Sequence, residues 1–160
     1  MTMKSTHGIR VHALPTEVLD DLRAKGFDAF GTRAARLDAE GGEPLRCCLR
    51  DAVPGDALLL FGYRPPLPNS PYREVGAVLA HAVPCSGPVD LDAYPSDWLG
   101  RPQVLRAYDE RGWIHDATTV HDGRDPEGTI AELLAVPEVA LIHSRNIAWG
   151  CYMFAITRAQ

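Results

Sequence analysis

Lysine is almost missing from this chain: 14 of its 16 basic residues are arginine, and only Lys4 and Lys25 carry an ammonium. Acids outnumber bases 21 to 16, for a formal charge of -5 and a pI of about 5.6. Backbone-phosphate affinity comes from an excess of cations, so no nucleic-acid partner is expected. No apolar run approaches the roughly 20 residues that cross a bilayer. The opening MTMKSTHGIRVHALP lacks the apolar core of an export signal, so no membrane association is expected either. Phosphate cradles are missing too, with neither Gly-x-Gly-x-x-Gly nor Gly-x-x-x-x-Gly-Lys-Ser/Thr in the chain, and no cofactor is expected. Cys-x-x-Cys and His-x-x-x-His are absent, and the four cysteines (Cys47, Cys48, Cys85, Cys151) fall at irregular positions. That pattern gives no metal motif and no disulfide framework; reduced thiols in a bacterial-type cytoplasm are the expectation.

What is present is an ordinary globular composition, 46% hydrophobic and 23% charged over 160 residues. One domain of that length buries roughly 70% of its unfolded surface, which suffices for a core. Ile9, Val11 and Ala13 alternate with Arg10 and His12, as in a strand with one buried face. Thr16 to Lys25 reads as a helix with Val18, Leu19 and Leu22 on one face and Gly26 as its C-terminal cap. Residues 27–44 lack periodicity and read as loop with at most short pieces of structure. Leu45 to Leu49 is apolar enough for a strand, followed by a turn at Pro54-Gly55. Ala57 to Tyr63 and Val75 to Val83 are near-continuous apolar runs, read as buried strands separated by the four prolines of Arg64 to Pro71.

Further on, a short turn is expected around Ser96-Asp97-Trp98. Gln103 to Asp109 and Trp113 to Val120 flank Glu110-Arg111-Gly112 as a hairpin. Asp125 followed by Pro126 opens a second helix through Ile130, Leu133 and Leu134. Val139 to His143 and Cys151 to Thr157 are the last strands. Seven or eight strands with two short helices, not alternating, predict an α+β fold with a largely antiparallel sheet, curled or barrel-like.

Leu45-Arg46-Cys47, Leu49-Arg50-Asp51-Ala52, Pro54-Gly55, Ser70-Pro71-Tyr72-Arg73, Arg106-Ala107-Tyr108-Asp109 and Gly150-Cys151 occur in that order. From about residue 45 onward they resemble a bacterial family catalogued as domain of unknown function 1203. The chain departs from that pattern at Ala77, where a proline commonly follows the glycine. The resemblance implies a compact soluble bacterial protein and carries no particular activity onto any residue.

The candidate chemistry therefore rests on residue types. Arg50, Arg106 and Arg145 sit in or at the ends of apolar strands, and a buried guanidinium needs an acceptor for its fork of donors. Internal acids such as Asp51, Glu74, Asp109 or Asp116 are the plainer partners. A small anionic ligand is the functional alternative, in a pocket of Arg50, Tyr72, Arg106, Tyr108 and Arg145 with His143 nearby. An enzyme reading pairs Cys151 as nucleophile with His81 or His143 as base and Asn146 as orienter, for acyl or thiol chemistry. A third reading is an interaction module, such as a homodimer, in which these residues only pack. Cys47 and Cys48, adjacent in a strand, would point to opposite faces and could not share a site. His81, Cys85, His143 and Cys151 are the donors a fold could still gather around a metal.

Overall fold

A computed structural model of the chain describes residues 8–159. The expectation of no export signal in residues 1–15 falls in part on residues 1–7, outside the described residues. The element order is β1 (Ile9–His12), α1 (Thr16–Lys25), β2 (Ala35–Asp38), β3 (Pro44–Leu45), β4 (Arg50–Asp51), β5 (Ala57–Tyr63) and β6 (Gly76–His81). A 3-10 turn (Ser96–Trp98), β7 (Gln103–Tyr108), β8 (Thr119–His121), α2 (Pro126–Leu134), β9 (Leu141–Arg145) and β10 (Tyr152–Arg158) follow.

The ten strands form two open five-stranded sheets, in the orders β1-β10-β9-β7-β8 and β2-β5-β6-β3-β4. Every pairing is antiparallel except that of β3 with β6. The α+β class and antiparallel character are as read; the single curled or barrel-like sheet is not, because two sheets stack instead of one closing. The additional strands carry no periodic signal. All four residues of β2 are exposed, and β3 and β4 are two residues each.

Two cores result. One lies between the first sheet and α2, built from Ile9, Leu105, Ile130, Ile142, Phe154 and Trp98. The other lies between the sheets and under α1, built from Leu19, Leu22, Leu58, Phe61, Val78 and Ala155. β9 and β10 serve both, which is why nearly all of their residues are buried. Helix α1 ends as expected: Gly26 takes a left-handed conformation at φ 74°, and its N–H closes on the Leu22 carbonyl. Asp125 caps α2 by accepting from the Gly128 N–H.

Two local readings are corrected. The strand after the Gly112 turn begins at Thr119, not Trp113, because the Thr118 hydroxyl accepts from the Ala107 N–H and donates to the His115 carbonyl, coiling the chain before it can pair. Of the reading Leu45 to Leu49 as a strand only Leu45 is one: Arg46 to Leu49 form a turn, closed by the Leu49 N–H on the Leu45 carbonyl at 2.9 Å. Leu49 has φ 56°, the sole non-glycine in the left-handed region among the described residues. Such a conformation costs a Leu on the order of 1 kcal/mol and is held only where surrounding contacts impose it. No described helix is long and apolar enough to cross a membrane.

Candidate functional site

The strained turn places the two adjacent cysteines on one side of the chain. Parallel pairing of β3 with β6 then sets them beside the end of β6, where His81 stands, and Cys85 follows four residues on. The donor atoms of Cys47, Cys48, His81 and Cys85 all lie within 4.8 Å of one another. Cys47 Sγ is 3.9 Å from Cys48 Sγ, and His81 Nδ1 is 3.5 Å from Cys47 Sγ and 4.0 Å from Cys48 Sγ. A tetrahedral ion with metal–sulfur bonds of about 2.3 Å and a metal–nitrogen bond of about 2.0–2.1 Å requires S···S near ~3.8 Å and S···N near ~3.6 Å. The Cys47, Cys48 and His81 donors have spacings close to these, and Cys85 Sγ lies within 4.8 Å of all three.

The surroundings suit it. Asp56 Oδ2 lies 3.4 Å from His81 Nε2, on the side of the ring away from the sulfurs. Metal-ligating histidines are commonly oriented by a carboxylate in that position. The His81 backbone N–H points at Cys47 Sγ, 3.4 Å away, and the His81 carbonyl accepts from the Arg23 guanidinium, so α1 anchors this strand end. The Arg50 guanidinium sits beside the Cys48 sulfur. The Cys48 thiol is pushed below its ordinary pKa, first by the hydrogen bond from the Cys47 thiol and then, against burial, by Arg50 and His81. Cys47 is pushed up by the same bond and by its burial. Three thiolates, a neutral imidazole and a divalent cation sum to a charge of about -1, which one guanidinium balances.

A family model described as "Protein of unknown function (DUF1203)" matches residues 42–158. The chain belongs to this family. No curated protein and no solved structure matches it. In this DUF1203 chain all four donors, with Arg50 and Asp56, fall inside the matched region, whereas β1, α1 and β2 precede it.

The residues singled out from sequence are divided among several places. Arg106, Tyr108, His143 and Arg145 do meet on one face of the first sheet. Arg106 pairs in register with His143, and the Tyr108 and His143 rings are 4.7 Å apart. Arg145 is satisfied internally, by Glu74 and by the Gly150 carbonyl. Arg50 belongs to the cysteine cluster, in the second sheet. Tyr72 lies on the proline-rich loop against Trp113, ring centroids 5.7 Å apart.

The DUF1203 chain does not assemble Cys151 with a base. Cys151 Sγ approaches the Trp149 carbonyl at 3.8 Å, and among the described residues no hydrogen bond joins it to His81 or His143. Asn146 closes the same loop through its backbone, donating to the Cys151 carbonyl. Asn146 and Cys151 line a cavity of about 680 Å³, bounded by residues of both sheets and by this loop. His143 is engaged elsewhere, with Nε2 at 2.8 Å from the Pro66 carbonyl.

Sequence reading joined His81 with Cys85 but missed Cys47 and Cys48, because adjacency in an assumed strand separated them. The available signal was a Cys-Cys pair followed, after two apolar strands, by His-x-x-x-Cys. Asp56 left no such signal: a residue of the Pro54-Gly55 turn reads as solvated.

Proposed function

We propose that this protein binds a soft divalent cation of the zinc class through Cys47, Cys48, His81 and Cys85. The observation that carries the reading is the convergence of four soft donors within 4.8 Å of one another, three of them, Cys47, Cys48 and His81, at separations near the edges of a thiolate–imidazole tetrahedron. Asp56 orients His81, and Arg50 neutralises the anionic complex. A reducing compartment, where the thiols stay free, is the setting in which such a site works.

The test is a titration of chelator-treated protein with zinc or cobalt(II). The expected result is one equivalent bound, with the cobalt form showing tetrahedral thiolate absorption. His81→Ala and Cys48→Ser are expected to lose stoichiometric binding while keeping the fold, and Asp56→Asn to weaken it by about 10- to 100-fold. An unaltered protein that takes up no metal, or variants that bind as it does, would refute the reading.

A second reading is an anion pocket on the Arg106–His143 face. It is favoured by Arg106, which has no carboxylate partner among the described residues. It requires that phosphate or a small dicarboxylate raise the melting temperature, as a ligand binding only the native state does. Arg106→Ala should abolish the rise without unfolding the apo protein; an equal rise in the variant excludes Arg106.

A further inference from the structure

The three sulfurs of the cluster are not equivalent. Cys47 and Cys48 are 4% and 1% exposed, while Cys85 is only partly buried. Cys47 receives the His81 backbone N–H, and Cys48 is hydrogen-bonded to the Arg50 guanidinium, which acts on Cys85 only through its charge. No described donor is hydrogen-bonded to Cys85 Sγ, and Cys85 lies beyond the end of β6, on a loop rather than a strand. Hydrogen bonding and burial withdraw electron density and access from the first two sulfurs; the third keeps both. Access decides among the three: an electrophile reaches a partly exposed sulfur, and buried thiols are inert.

We propose that Cys85 is the reactive ligand of the metal site, alkylated by soft carbon electrophiles with release of the metal. The inference rests on the metal reading above. In the step, the metal-bound Cys85 sulfur attacks the carbon that carries the leaving group. The new S–C bond uses a sulfur lone pair, and the carbon–leaving-group bond breaks, its electron pair departing with the leaving group. The sulfur becomes a neutral thioether, the complex goes from a charge of about -1 to 0, and the weakened metal–sulfur bond opens. No oxidant and no proton is needed. The loss of one negative charge also leaves the Arg50 guanidinium without its balancing complex, so release is favoured on both counts.

The experiment uses full-length Cys151→Ser protein, which lacks the other partly exposed thiol, loaded with one equivalent of zinc and treated with iodoacetamide. Modified peptides are mapped by mass spectrometry while a chromophoric chelator reports free zinc. The expected result is modification of Cys85 at least tenfold faster than of Cys47 or Cys48, with one zinc released per carbamidomethyl group. Modification of Cys47 or Cys48 first, or zinc retained after Cys85 is modified, overturns the inference and leaves the metal reading standing. A protein that never loads zinc fails the metal reading itself, and this proposal with it. Cys85→Ser should load zinc more weakly and release none on treatment; release at the unaltered rate would place the reactive sulfur elsewhere.

Discussion

Trp98→Ala should lower the stability of the protein by about 3–5 kcal/mol, the range for deleting a large, fully buried aromatic whose surroundings only partly collapse. Trp98 is completely buried at the end of a 3-10 turn, too short to hold itself in place. Its ring stacks on Phe154 with centroids 5.8 Å apart and planes at 26°, joining the turn to the middle of β10. Its indole N–H donates to Asp51 Oδ1 at 2.9 Å, joining the same turn to β4 in the other sheet. Asp51 keeps a partner in the variant, because Arg101 also binds it, at 2.6 Å. The loss is therefore mainly a cavity at the junction of the two sheets, and not an orphaned carboxylate. Urea unfolding with m-values checks it. A change below about 1 kcal/mol would mean the junction refills.

His143 should make the protein acid-labile. It is 1% exposed, with Tyr108 on one side and Tyr152 on the other, and its Nδ1 has no hydrogen-bond partner. Burial chiefly, with Arg145 and Arg106 adding repulsion, pushes its pKa from 6.5 down to about 4, against the Pro66 carbonyl and Glu74, which favour the cation. The folded protein thus keeps this ring neutral where the unfolded chain protonates it. Since the unfolded state binds more protons between pH 6.5 and 4, stability rises with pH across that window and falls on acidification. A shift of that size corresponds to about 3 kcal/mol lost by pH 4. Unfolding free energies measured at intervals from pH 7 to 4 should show this slope in the unaltered protein and a flatter one in His143→Gln. Equal slopes would assign the acid sensitivity to other groups.

Much of the fold was legible where one short-range rule decided the outcome. The α1 limits at Thr16 and Lys25, the β5 limits at Ala57 and Tyr63 and the Asp125-Pro126 start of α2 all match the reading, because a cap, a proline or a continuous apolar run fixes each locally. β2, β3 and β4 were illegible because long-range pairing alone makes them strands. The site failed to show for a related reason: whether Cys47 and Cys48 face one way depends on the backbone of Leu49, and nothing in a leucine's chemistry announces a positive φ. The arginines divided as their chemistry allows. Arg145 took the internal acid Glu74, whereas Asp51 went to Arg101 and left its neighbour Arg50 to the thiolates.

The parallel β3–β6 pair also bears on how the site is reached. Cys47 and His81 are 34 residues apart, and the β5–β6 hairpin lies between them in sequence. Closing so long a loop carries its entropy cost before any donor meets another. A cation cannot nucleate this chain as it nucleates a short finger whose ligands are near neighbours. A cation held at the proposed site would meet a fold that already exists, so its occupancy is expected to slow unfolding and to leave the refolding rate where the polypeptide sets it.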